Sequence, residues 1–187
     1  MYYIPAMYPY PYYVNTFPYH PYFLARNLMY KTILGNYAVL SNGEGSVPLK
    51  DYGIKPFVVN IEKAAEQNNT FRTALWTGKH LQVTLMSIGV GEDIGLEVHP
   101  TVDQFLRIEE GRGLVQMGDQ KDRLDFKQNV YEDYAIMVPA GKWHNLTNTG
   151  TKPLKLYTIY APPQHQYGTV HKTKADAIAA EERHIND

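Results

Sequence analysis

The chain has 187 residues, a formal net charge of -1 and a pI near 6.7, with 44% hydrophobic and 20% charged residues. That composition suits one globular domain with appendages, and it offers no basic field for a phosphate backbone, so no nucleic-acid partner is expected. Cysteine is absent, which excludes disulfides, thiolate catalysis, zinc fingers and iron–sulfur clusters, and leaves any metal to His, carboxylate or amide oxygen.

No apolar run approaches the roughly 18 residues of a spanning helix, so no membrane association is expected. The N-terminus lacks the basic and apolar regions of a signal peptide. With no cysteine, a cytoplasmic location is the expectation.

The first 30 residues hold 9 of the 16 tyrosines, 5 of the 12 prolines and a single charge, Arg26. Tyr8-Pro9-Tyr10-Pro11-Tyr12-Tyr13 cannot be a helix or a central strand, because proline fixes φ and donates no amide hydrogen. Residues 1–35 therefore read as an extended arm, which either wraps its own barrel or a dimer mate, or docks its rings on a partner. Residues 36–70 read as a linker. Its Asn42-Gly43, Gly45, Pro48, Gly53 and Pro56 are loop signals, and Ile61 to Gln67 is a short helix with Asn60 as N-cap.

From Phe71 the texture changes. Short β-rich runs alternate with turn signals over 71–77, 80–88, 94–99, 103–109, 113–117, 122–126, 134–138, 143–148 and 154–160. Such spacing predicts an all-β sandwich or barrel over residues 71–161. Residues 162–187 read as a loop followed by a helix over the Ala- and Glu-rich 173–183.

The chemistry concentrates in two places. In Glu97-Val98-His99, alternate residues of a strand share a face, so a carboxylate and an imidazole converge if that face is a barrel interior. Gln104 opens the next run. Further on, Pro139-Ala140-Gly141 feeds a strand that begins at Trp143-His144. A ligand from this neighbouring strand completes a metal site.

These residues resemble the two motifs of the cupins. Gly91, Glu97, His99, Gln104 and Gly111 sit at the spacing of the first motif, and Asp133, Pro139, Gly141, His144 and Asn148 at that of the second. The resemblance covers roughly residues 80 to 161. It implies a double-stranded β-helix, or jelly-roll barrel, with one divalent metal ion inside.

Three positions depart from the family pattern. Glu97 replaces the first His, Gln104 replaces the Glu, and Asp133 replaces the glycine that opens the second motif. The first two exchange one nitrogen ligand for oxygen while keeping a single negative charge. Glu97, His99 and His144 form a 2-His-1-carboxylate set, the arrangement associated with non-haem Fe(II). Gln104 is either a weak fourth ligand through its amide oxygen or an outer partner that orients Glu97 or a water. Iron or manganese is favoured, with nickel and zinc open. A metal-free hydrogen-bonded cluster of the same three residues is the rival reading.

Around this set, Trp143 and Phe105 alternate outward, whereas Leu106 and Ile108 face inward as an apolar cavity wall. Tyr157 either packs with its hydroxyl capped or reaches a ligand. His165 and Tyr167 cap the barrel mouth, and neither His165 nor His171 is expected to be a ligand. Few basic residues are expected to point into the cavity.

Two functions fit. The first is an enzyme with Glu97 and His144 as catalytic residues, acting on a small oxygen-bearing molecule by dioxygenase-like cleavage or sugar isomerase- or epimerase-like chemistry. The alternative is a non-catalytic binding or structural protein that uses the barrel as an assembly module. The family resemblance implies a homodimer.

Overall fold

A computed structural model of the chain describes residues 46–185. The expected arm, 1–35, and the first part of the linker lie outside the described residues.

Among the described residues the first regular element is α1, Ile61–Gln67. The Asn60 side chain caps it by accepting from the Lys63 amide at 3.1 Å, which satisfies one of the free amides of the first turn. Eight strands follow: β1 Arg72–Thr77, β2 Gln82–Ile88, β3 Asp103–Glu110, β4 Arg112–Gly118, β5 Phe126–Tyr131, β6 Ala135–Val138, β7 Trp143–Asn148 and β8 Leu154–Ala161. A two-residue strand, β9 Val170–His171, and α2, Lys174–Ile185, complete the chain.

The strands form a six-stranded sheet in the order β6-β3-β8-β2-β1-β9 and a three-stranded sheet β5-β4-β7. All pairs are antiparallel. One apolar cluster draws on both sheets, with Met86, Ile88, Leu106, Ile108, Leu154 and Leu156 from the larger and Val115, Val130 and Leu146 from the smaller. This is the shared interior of a jelly roll. A second cluster lies on the opposite face of the large sheet, where α1 places Ala64 and Ala65 against Leu75 and Leu85.

Three sequence expectations are corrected. Residues 94–99 are not a regular strand; this stretch has only isolated bridges, at Asp93↔Thr147 and Glu97↔His144. Gly95 has φ of 92° and its amide bonds to Asp93 Oδ1 at 2.6 Å, a local turn that interrupts a ladder. Residues 122–126 are largely turn, and the strand begins at Phe126 instead. That strand is exposed at all but Val130, so it lacks the apolar alternation that marks a strand in sequence. The Pro-rich tail also returns as β9 beside β1.

The inner face of the large sheet is graded. Cross-strand pairs Met86↔Leu156 and Ile88↔Leu154 make one end apolar, whereas Gln82↔Tyr160 and Thr84↔Thr158 make the other polar. Side chains directly opposite share a face, so Gln104, paired with Tyr160, joins the polar end. Leu106 and Ile108 do face inward, but they fill the core rather than wall a cavity.

Candidate metal centre

Main-chain bonds assemble the site. His144, the second residue of β7, exchanges both amide bonds with Glu97: Glu97 N–H donates to His144 O at 3.1 Å and His144 N–H to Glu97 O at 2.9 Å. Paired residues present their side chains to the same side. The Gly141 amide donates to His99 O at 2.8 Å, so the turn before β7 holds the second histidine as well. Asn148, at the far end of β7, clamps the segment leading to Glu97. Its amide donates to Glu92 O at 2.8 Å, and its carbonyl accepts from Gly91 at 3.2 Å.

The result is a triad. Ligand-capable atoms of Glu97, His99 and His144 all lie within 4.8 Å of one another. Glu97 Oε1 is 3.4 Å from His99 Nε2 and 3.3 Å from His144 Nε2. His99 and His144 are buried, and among the described residues Glu97 Oε1 and both Nε2 atoms have no hydrogen-bond partner outside the triad. A buried polar atom left unpaired is costly. Three such atoms converging on one point form a donor set whose chemistry, one carboxylate and two imidazoles, fits a divalent ion.

The tautomer of His144 suits this role. Its Nδ1 lies 2.9 Å from the Lys142 carbonyl, and a carbonyl only accepts, so Nδ1 carries a proton and Nε2 is the ring nitrogen left facing Glu97. Burial pushes the Glu97 carboxyl up. The His144 and His99 imidazoles and the Arg72 charge outweigh it and hold the group well below the usual carboxylate range. Glu97 is thus an anion throughout the working pH range.

Gln104 is buried, and its Nε2 donates to Thr158 Oγ1 at 3.3 Å. Its Oε1 has no partner. Tyr160, on the same face, packs edge-on against His99 with ring centroids 5.7 Å apart. Burial and the Glu97 charge push its phenol up to about 12, with Arg72 pulling the other way. Tyr160 therefore stays a neutral donor.

Two of the three, Glu97 and His99, line a cavity of about 640 Å³ together with His165, His171 and Glu181, while His144 lies buried behind them. Leu106 and Ile108, expected as its wall, are not among the lining residues. His165 lines this cavity, and burial together with the Arg72 charge lowers its imidazole to about 2. Tyr167 turns away, its hydroxyl donating to Asp51 O at 3.1 Å. Tyr157 packs on the outer face near Phe105, with ring centroids 6.1 Å apart. Trp143 also leaves the site and lies under the Lys121 ammonium. The Glu181 carboxyl, from α2, is pushed up by partial burial and by Glu97.

Arg72 is the residue sequence reading misses. It is 1% exposed and lies opposite His171 on β9 and Met86 on β2, hence on the inner face. An arginine at the start of a strand ordinarily reads as a solvated edge. The Gln82-x-Thr84 and Thr158-x-Tyr160 alternations were the available sign of a polar interior.

Residues 84–160 match the family described as Cupin domain. The crystal structure of BH2720 from Bacillus halodurans is 68% identical, with a TM-score of 0.69 over 70% of this chain and 98% of that one. The uncharacterized protein YrkC of Bacillus subtilis is 75% identical over 134 residues, 72% of either chain.

This chain belongs to the cupin superfamily.

A further relative, the uncharacterized protein L612 of Acanthamoeba polyphaga mimivirus, is 40% identical over 115 residues, which is 61% of this chain and 70% of that protein. The jelly-roll barrel is thus a cupin barrel, and its motif residues take the places described above. Asp133, standing where the cupin pattern has glycine, adopts φ of 70°, a left-handed conformation that Asp tolerates better than most residues.

Proposed function

We propose that this cupin is a metal-dependent enzyme acting on a small oxygen-bearing molecule. One observation carries the reading: the unpartnered Glu97, His99 and His144 atoms converge at the wall of a cavity large enough for such a ligand. The two-histidine, one-carboxylate set favours Fe(II), with Mn(II) next and nickel or zinc open. Gln104 offers its amide oxygen as a fourth ligand. A bound ion would supply Lewis-acid polarisation of a substrate oxygen and, as iron, redox chemistry with dioxygen. The donor set favours the dioxygenase-like reaction over sugar isomerisation.

The chain's own residues supply the rest. Glu97 and His144 are the catalytic residues of this reading. The Tyr160 ring buttresses His99, and Glu181, which lines the cavity, accepts or returns a proton. A homodimer accompanies the reading. Phe105, Met137 and Ile159 form an apolar strip on the outer face of the large sheet, with Met137 65% exposed, and this strip is its supporting feature. Light scattering that gives a monomer argues against it.

The test is an aerobic screen of the Fe(II)- and Mn(II)-loaded protein against small diketones and aromatic acids, followed by oxygen uptake. Sugars are followed by NMR. Turnover that disappears in Glu97→Gln with the fold intact supports the proposal. Full turnover in that variant refutes it.

A further inference from the structure

The interior holds more positive charge than its metal site accounts for. Arg72 is among the largest fully buried side chains, and its Nε and Nη1 have no hydrogen-bond partner among the described residues. Its guanidinium carbon lies 5.6 Å from the centroid of the Phe71 ring, a contact that satisfies neither of those two donors, and the guanidinium also hydrogen-bonds the Tyr160 side chain. A buried cation without a carboxylate is strongly disfavoured. Two carboxylates act on it, Glu97 and Glu181, and the metal site claims the first.

The charge count then decides what the cavity takes. Two positive charges from a divalent ion and one from Arg72, less one from Glu97, leave a net of two. Glu181 at the cavity rim removes one more. A monoanion balances the remainder, whereas a phosphate dianion overshoots it and faces both Glu97 and Glu181. Arg72 does not line the cavity, but its cross-strand partner in the β1–β9 pair, His171, does. Arg72 therefore acts on a ligand through its charge in a low-dielectric interior, where screening is weak.

We propose that Arg72 makes this cavity selective for small monocarboxylates, whose acid group it balances while Glu97 is engaged by the metal. The inference rests on the metal-centre reading given above. It names the substrate class of that site as a small carboxylic acid and makes Arg72 a specificity-determining residue.

The test uses the full chain loaded with Mn(II), with calorimetric titration of glycolate, its uncharged amide glycolamide, and inorganic phosphate. Glycolate is expected to bind about tenfold more tightly than glycolamide. In Arg72→Met that preference should fall about tenfold with metal content unchanged. Arg72→Gln serves if Arg72→Met fails to fold, and the wild-type comparison stands without either. Equal binding of glycolate and glycolamide to wild type overturns the inference, as does a preference that survives in the neutral variants. Tighter binding of phosphate than of glycolate overturns the carboxylate assignment. A wild type that takes up no metal refutes the metal centre itself and removes the charge argument with it. Uptake of metal without acid preference refutes the role of Arg72 alone.

Discussion

Asn148→Ala should cost more than any other single hydrogen-bonding change outside the metal site. Asn148 is 1% exposed at the end of β7. Its Nδ2 donates to Ile88 O and to Lys152 O, both at 2.9 Å, and its Oδ1 accepts from the Gly150 amide at 2.8 Å. One side chain thus ties the end of β2 to the β7–β8 turn. Three bonds at about 1 kcal/mol each, plus the cost of stranding the buried Ile88 carbonyl, give about 3–5 kcal/mol. For a domain of this size that is a fall of about 10 °C in Tm. Urea unfolding of metal-free protein measures it directly, through a lower midpoint at unchanged slope. Asn148→Asp should be no better than Ala, since it replaces the donor with an oxygen facing two carbonyls. A loss below about 1 kcal/mol in either variant contradicts the clamp.

Glu97→Gln should leave the circular dichroism spectrum unchanged while weakening metal affinity beyond the about 10–100-fold that losing an outer partner costs; unchanged affinity would remove Glu97 from the donor set. His165 titrates near 2 in the fold and near 6.5 as an ordinary histidine. The unfolded chain therefore takes up a proton that the folded chain refuses, and stability falls as pH drops below about 6.5, by at most about 1.4 kcal/mol per pH unit. His165→Phe should flatten the stability profile between about pH 6.5 and 4.5, and parallel profiles for variant and wild type count against this. At Gly118 an added Cβ would lie 2.0 Å from the Arg123 carbonyl oxygen, so Gly118→Ala should lower stability by about 1–3 kcal/mol in thermal melts. A neutral result would mean the turn after β4 yields freely.

The barrel is legible in the sequence because its strands obey simple rules. Leu106 and Ile108 alternate with Phe105 and Arg107, and the inward pair enters the core. Asn60 announces α1, and its cap bond forms. Glu97, His99 and His144 are legible as a group because motif spacing encodes which loops lie beside which strand. Other features escape for physical reasons. The path from Gly91 to His99 pairs with β7 through isolated bridges around a left-handed glycine, which period-two reading takes for a strand. β5 is stabilised by its ladder to β4 rather than by a buried face, so its side chains carry no pattern. Arg72 escapes because its burial depends on β9, a return of the tail through pairing that is non-local in sequence.

The central claim is that Glu97, His99 and His144 hold a metal ion inside the barrel. Elemental analysis of tag-free protein purified without chelator, beside His144→Ala, tests it most directly. About one equivalent of iron or manganese per chain in wild type, lost in the variant, is the result expected of such a site. No metal in either protein after reconstitution with Fe(II) or Mn(II) would contradict it and leave the barrel as a binding or assembly module.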